Sequence, residues 1–591
     1  MTKYVILCII KKVNNDLEEK IVKQIKFADD LSGNRKLCCI LSYVLPAVFF
    51  LFSTVIAVYY IFWTSQGEFH ADCTDTIMWA NASYESGSIF DKSFHYACFL
   101  PFGINLIMQP LIAIFGLSMT AQHIGMFAFF ILFTGFFMLM LREMHIDIRY
   151  NLASSAVLIA MTFSSEKSRE IFWGHTIYYT LGLLFIFIGL FLYFKLMNLN
   201  EKRKSCLEGS RLIKKCSRNY IITLVILCIF ILLTATDGIS ALSIFGLPFI
   251  ASIFAERFLD SDTKLTDKKS LYAFARMGTF LVMIVFGTLL LSLIQGDMRA
   301  GYQESFSKFS PVQNWVQNAL VIPEAWLSVF GVQNLKDTKF SETGGIINIL
   351  YVINAVVIAV VPIIATCFYK KYTNDTKGRM LKIFIWVHWF STAIILLGFI
   401  CGLLSSAPWR LVPVIGTAIV TSILFAEWVI SSKILTAAVK RMSVAGTVLA
   451  ILISVINLSY VAKMPSDNYK DNVLFTLAST LENENLTYGY ATFWNANSIT
   501  VISDSKVKVR EVTVDDGGIT PRFYQSSAKW YKTQEGQKDY FILLSDREYS
   551  DLKNASPELV LQAVKDFGIK TSDDEFRVLV FEHNIFQNSY Q

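Results

Sequence analysis

Two aspartates three residues apart, Asp72 and Asp75 in the stretch EFHADCTD, have a type and spacing that suit chemistry. On a helix that spacing puts both carboxylates on one face. Two carboxylates close together beside a low-dielectric surface have raised and split pKa values. Such a group can take a proton from an attacking hydroxyl, or orient it. A solvated loop that merely opens with acidic residues would read the same way. A second acidic pair, Glu166 and Glu170, lies in SSEKSREIFWGH with Lys167, Arg169 and His175. Its four-residue spacing again predicts one shared helical face. His175 could titrate or bind a metal, although a lone His beside Trp173 and Gly174 is more commonly an interface residue. Asp72, Asp75 and Glu166 together would offer oxygen ligands to a divalent cation such as Mg or Mn.

Cations come from two other places. Arg410 in SSAPWR and Arg299 in GDMRAGYQESFSKF are candidates for bidentate contact with a phosphate. Arg410 beside Trp409 could equally be snorkelling at a membrane edge. Asp237 suits a helix cap. The chain has no CxxC, no HExxH and no Gly-rich phosphate loop with its Lys, so ATP-driven chemistry has no support. Of the ten cysteines, Cys73 and Cys98 fall in one loop and are the candidate disulfide pair.

The elements that must position these residues are mostly membrane helices. Of 591 residues 54% are hydrophobic and only 17% charged, against about 25% charged in an ordinary soluble chain. That balance argues against a soluble enzyme, a nucleic-acid binder or a disordered scaffold. It predicts a polytopic α-helical membrane protein of eleven spans, at 37–63, 119–141, 150–165, 176–196, 220–236, 238–255, 274–294, 345–368, 380–403, 410–430 and 443–462. The segment 1–36 is read as cytoplasmic, with a basic amphipathic helix possible over 17–28. The spans occupy 37–462, with a large first external loop at 64–118. The apolar half of that loop, 100–116, carries Pro101 and Pro110 and reads as a helix lying in the interface.

Charge predicts the orientation. Basic residues crowd 195–219 and recur at Arg142, Arg149, Lys370, Lys371, Lys433 and Lys440, all on one side if the N-terminus is cytoplasmic. The 64–118 loop has one basic residue, Lys92, against five acidic ones. With an odd number of spans, residues 463–591 then lie outside the plasma membrane. They hold 14 basic and 19 acidic residues and no cysteine, whereas the rest of the chain has a balance of +11. Strands are expected in LTYGYATFW, SITVISDSKVKVREVTV, DYFILLS and FRVLVFEH, and a helix in PELVLQAVKDFG ended by Gly568. This predicts a small extracytoplasmic α/β domain, whose Trp494, Trp530 and Tyr531 are candidates for stacking on sugar rings or for core packing.

The order of these features resembles the GT-C superfamily of membrane glycosyltransferases. The features are a span, a large external loop with an early Asp, an interfacial helix, a short acidic second loop, many further spans and an external C-terminal domain. The bacterial relatives of protein mannosyltransferases and aminoarabinose transferases are the most similar in order. The resemblance implies a polyprenyl-phosphate sugar donor used on the outer face, and a cell-envelope acceptor (glycan, lipid or protein) activated by Asp72 or Asp75. It implies Glu166 or Glu170 as the second-loop acidic residue, and Arg410 near the lipid phosphate. The chain lacks the DE pair that mannosyltransferases often show in the first loop, and the WWDxG motif of oligosaccharyltransferases. A single displacement would invert the anomeric centre. The rival readings are a lipid-linked sugar transporter or flippase, which would need polar or broken helices near the midplane, and a non-catalytic envelope-assembly protein.

Overall fold

The computed structural model describes residues 33–205, 211–258, 268–296, 308–334, 339, 342–571 and 574–587. The 17–28 segment lies outside them. Among the described residues ten helices are long and apolar enough to cross a membrane, from Leu37–Phe62 to Ala437–Ala462. Their lipid-side residues stay exposed, as with Leu45, Leu51 and Val55 on the first, while Tyr178–Ser205 is buried nearly all round at the centre of the bundle. A helix apolar on every face belongs in that position.

The expected third span is the exception. Helix Ile148–Met161 has 14 residues, about 21 Å at 1.5 Å per residue, short of a hydrocarbon core of about 30 Å. It still carries the chain from one end of the bundle to the other. At its start Asn151 Nδ2 donates to Met138 O, near the far end of the preceding helix, at 3.0 Å. Beyond its end, Gly174 shares Gln122 with Cys73 at the opposite end. Packing against the helices Gly33–Phe62 and Ala437–Ala462 shields it from lipid, so its length need not match the bilayer.

The two ends of the bundle differ in charge. One collects the loops after Phe62, Met161, Ala235 and Ile400. The other collects the basic loops, with Arg379 bound to Glu256 at 2.6 Å and Lys377 to Glu427 at 2.9 Å. The segment at 100–116 forms helix Asn105–Phe115, with Met108 and Ile112 buried and Ile114 and Phe115 exposed. The expected span at 238–255 is broken by a π turn, Leu242–Gly246, whose Ile244 carbonyl accepts a bond from Ser391 Oγ at 2.9 Å.

The C-terminal part is a six-stranded mixed sheet. Its strands are β2 (Tyr488–Ala491), β3 (Lys508–Asp515), β4 (Gly518–Pro521), β6 (Tyr540–Ser545), β7 (Lys565–Lys570) and β8 (Glu575–Phe581), in the order β4-β3-β2-β6-β8-β7. The central trio β3-β2-β6 is parallel and β2 is wholly buried, as parallel strands covered on both faces are. Helices Val473–Asn483 and Ala496–Ile502 cover one face. Two local expectations fail. Residues 498–502 are helical, because the short helix is buried on both sides, with Ile499 in the core of the sheet domain and Val501 in that of the bundle. The helix at 557 stops at Leu561, and 565–570 joins the sheet as an edge strand through Gly568. A short antiparallel pair, β1 (Phe94–His95) with β5 (Ser526–Ser527), stitches the first loop to this domain.

Candidate active site

Asp72 sits on a 3₁₀ turn, Ala71–Thr74, and Asp75 opens the α-helix Asp75–Ser86 that follows. The turn is closed by Cys73 N on His70 O at 3.0 Å and Thr74 Oγ1 on Ala71 O at 2.7 Å. The helix ends where Gly87 adopts φ +66° and its N–H caps the Ser83 and Tyr84 carbonyls, the left-handed stop that glycine favours. The two aspartates lie on successive turns of this continuous segment and differ in burial. Asp75 is 5% exposed and turned inward, while Asp72 is half-buried.

Asp75 has both oxygens engaged. Oδ2 lies 3.1 Å from His175 Nε2, and Oδ1 accepts a bond from Gln525 Nε2. Burial pushes its pKa up, partly offset by the bond and charge of His175. Burial works to lower His175, but its bond to Asp75 outweighs this and lifts it above the ordinary value. The two groups are close enough to titrate as a coupled pair.

Asp72 also borders a second cluster. Side-chain ligand atoms of His70, Asp72 and Glu170 all lie within 4.8 Å of one another. Glu170 is buried, 3.1 Å from His70 and bonded to Lys167. Burial alone would raise its pKa, but His70 and Lys167 outweigh that and hold it at about 2. A cavity lined by Tyr60, Glu68, Cys73, Gln122, Glu170 and Trp173 adjoins this cluster. One imidazole and two carboxylates are a donor set that suits a divalent transition ion such as Mn better than Mg. The expected oxygen set of Asp72, Asp75 and Glu166 does not form. Asp75 is taken by His175 and Gln525, and Glu166 is exposed.

Glu166 and Glu170 also part company. Ser165 caps their short helix, Glu166–Trp173, by accepting a bond from Ser168 N at 3.0 Å. That sets Glu166 outward at the first turn and Glu170 inward. The two loops are locked together by Arg169, whose guanidinium forks onto Glu68 at 3.0–3.1 Å from Nε, with Tyr60 OH on Glu68 at 2.6 Å. Gln122 bonds to carbonyls of both loops.

Arg410 is 3% exposed rather than snorkelling at a membrane edge. It sits on the turn Pro408–Leu411, bonded to Ser405 Oγ at 3.0 Å and to Tyr178 OH, with the Tyr178 and Tyr179 rings 5.4 and 5.3 Å away. Trp409, next to it, carries Lys167 Nζ 4.9 Å above its ring. That contact, with packing of the turn on helix Glu166–Trp173, brings the arginine's turn against the second loop. Arg299 lies outside the described residues. Cys73 and Cys98 are both buried free thiols and form no disulfide.

Asp237 is not a side-chain helix cap. Its Oδ1 accepts the Phe102 N–H at 2.7 Å, tying the interfacial segment to the bundle. Burial pushes its pKa from 3.8 up to about 8, with the Phe102 bond opposing. The folded state therefore holds this proton more tightly than the unfolded chain. Stability is highest where the group is protonated in both states and declines as pH rises from about 4 to about 8. Asp237→Asn keeps the shape without the charge, and is expected to raise the thermal midpoint at pH 8 and leave it nearly unchanged at pH 4. Equal midpoints at both pH values would remove Asp237 as the source.

His70 and Gln525 are the site residues that sequence reasoning missed. His70 stands two positions before Asp72, a signal that was available. Gln525 comes from a loop of the C-terminal domain and had no local signal. Of the candidate sugar-stacking aromatics, Trp530 and Tyr531 are core residues and Trp494 is exposed.

No family model matches this chain, and no curated protein matches it. Among solved structures it is similar to the crystal structure of ArnT from Cupriavidus metallidurans in the apo state, at 11% identity and a TM-score of 0.38, over 90% of this chain and 97% of that one.

Proposed function

We propose that this protein is an integral membrane glycosyltransferase that moves a sugar from a polyprenyl-phosphate donor to a cell-envelope acceptor on the outer face of the plasma membrane. The observation that carries the reading is the meeting, at one end of the bundle, of the half-buried Asp72 and buried Glu170 from two loops, with the turn of buried Arg410 joined to the second loop by Lys167 over Trp409. An acceptor hydroxyl needs a base in line behind the anomeric carbon, and Asp72 is the accessible carboxylate for that role. The departing lipid phosphate needs a cation fixed in place beforehand, which is the role given to Arg410. Displacement in one step inverts the anomeric centre. Bound at His70, Asp72 and Glu170, a divalent cation would supply charge stabilisation of phosphate oxygens, and Asp72 would then orient the acceptor hydroxyl instead of taking its proton. The basic loops at the opposite end of the bundle support a cytoplasmic assignment for that end, which leaves the site and the C-terminal domain outside. Paired charges such as Arg379–Glu256 and Arg169–Glu68 lie at the ends of the bundle, which favours an interfacial enzyme over a transport pathway through the midplane.

The test uses the full-length protein in nanodiscs with polyprenyl-phosphate glucose, mannose and galactose, and a membrane extract as the acceptor source. Release of polyprenyl phosphate from one donor is the expected result. Neither binding nor consumption of any donor overturns the reading.

A further inference from the structure

Gln525 is a fully buried glutamine at φ +50°, a backbone region that a residue with a Cβ adopts only when its surroundings hold it there. Those surroundings are specific. Its side-chain nitrogen donates to Asp75 Oδ1. Its side-chain oxygen accepts from Trp79 Nε1 at 2.5 Å and lies 3.4 Å from Ala97 N. Its backbone carbonyl accepts from Asn497 Nδ2 at 3.2 Å, and the same Asn497 nitrogen donates to buried Glu511 at 2.7 Å. The amide cannot be flipped, because the indole and backbone N–H groups only donate. The next two residues, Ser526 and Ser527, pair with His95 and Phe94 in the β1–β5 ladder. One residue of the C-terminal domain thus grips the first loop at Asp75, Trp79 and Ala97.

The geometry points to Gln525 as a positioning residue. By holding Asp75 it fixes the start of helix Asp75–Ser86, and with it the 3₁₀ turn that presents Asp72, so that the C-terminal domain completes the site. This rests on the assignment of Asp72 made above. A bond that served only to dock two domains would have no need to end on a carboxylate whose other oxygen is already on His175. Here the amide sets the one oxygen that His175 leaves free.

The test compares wild type, Asp72→Asn, Gln525→Glu and Gln525→Met in full-length protein in nanodiscs. It reads turnover of the polyprenyl-phosphate donor and deuterium uptake over residues 71–79. Gln525→Glu keeps an acceptor for Trp79 and Ala97 and sets a second carboxylate against Asp75, so that repulsion replaces the donated bond when both are ionised. Gln525→Met keeps the length and removes every side-chain bond. Both are expected to lower kcat by about tenfold or more, since a misplacement of about 1 Å can cost 10²-fold. Donor KM should stay near wild type, and uptake over 71–79 should rise while the spans stay protected. If Asp72→Asn is inactive and both Gln525 variants turn over at the wild-type rate, the positioning role is overturned and the site assignment stands. If Asp72→Asn is fully active, the site assignment fails, and uptake decides the tether by itself: unchanged uptake over 71–79 in Gln525→Met overturns it, and increased uptake upholds it.

Discussion

Replacing Asp72 with Asn is expected to lower turnover of the polyprenyl-phosphate sugar by about 10²- to 10⁴-fold, the usual contribution of a positioned general base. Donor KM is expected to stay close to wild type, because the lost interaction belongs to the acceptor hydroxyl in the transition state. The choice of Asp72 over Asp75 rests on availability. Asp75 is buried, with one oxygen on His175 and the other on Gln525. A substrate would have to displace one of them to reach it. Asp72 is half-buried, beside His70 and Glu170. Asn is close to isosteric, and the closing bonds of the turn come from Cys73 and Thr74, so folding is expected to be unaffected. Steady-state kinetics on the purified variant check this. Wild-type turnover in Asp72→Asn would move the role of base to Glu170.

The second large effect is expected at Arg410. Arg410→Met should lower kcat/KM by about 10²- to 10³-fold, the range seen when one preorganised electrostatic donor is removed. Arg410→Lys is not expected to restore it, because an ammonium cannot reproduce a planar fork. The surroundings explain both expectations. The guanidinium is held by Ser405 and Tyr178 and flanked by two tyrosine rings, so its orientation is set before any donor arrives. Loss of those bonds could also loosen the turn. Binding of a non-hydrolysable phosphonate analogue of the donor separates the two effects. A phosphate role predicts weaker analogue binding with an unchanged unfolding midpoint. Undiminished kcat/KM in Arg410→Met would remove the arginine from the mechanism.

The membrane helices were legible in the sequence because each is a local property. About 20 apolar residues in a row declare a span without reference to any neighbour, and all eleven expected spans are helices in the structure. The third, Ile148–Met161, is short because it is buried among other helices and not matched to lipid. The errors in the sheet domain have a similar cause. Residues 498–502 are β-branched enough to read as a strand, yet they pack as a helix against Val509 and the neighbouring strands. Tertiary burial overrides a weak β-propensity.

The candidate site divides in the same way. The sequence by itself determined that acidic residues gather in the first two loops after a span, that an arginine stands at the start of the span at 410, and that the chain has separate apolar and soluble parts. Composition and spacing carry that information within about 20 residues. Which carboxylate faces which partner was decided only by the tertiary structure. The helix rule paired Asp72 with Asp75 and Glu166 with Glu170. In the fold one member of each pair is buried and the other is more exposed, and Asp72 came to lie beside Glu170 and His70. Gln525 reaches Asp75 across 450 positions. No local pattern encodes that bond, because it forms only when the sheet domain closes on the first loop and shuts water out of a group that must still be hydrogen-bonded.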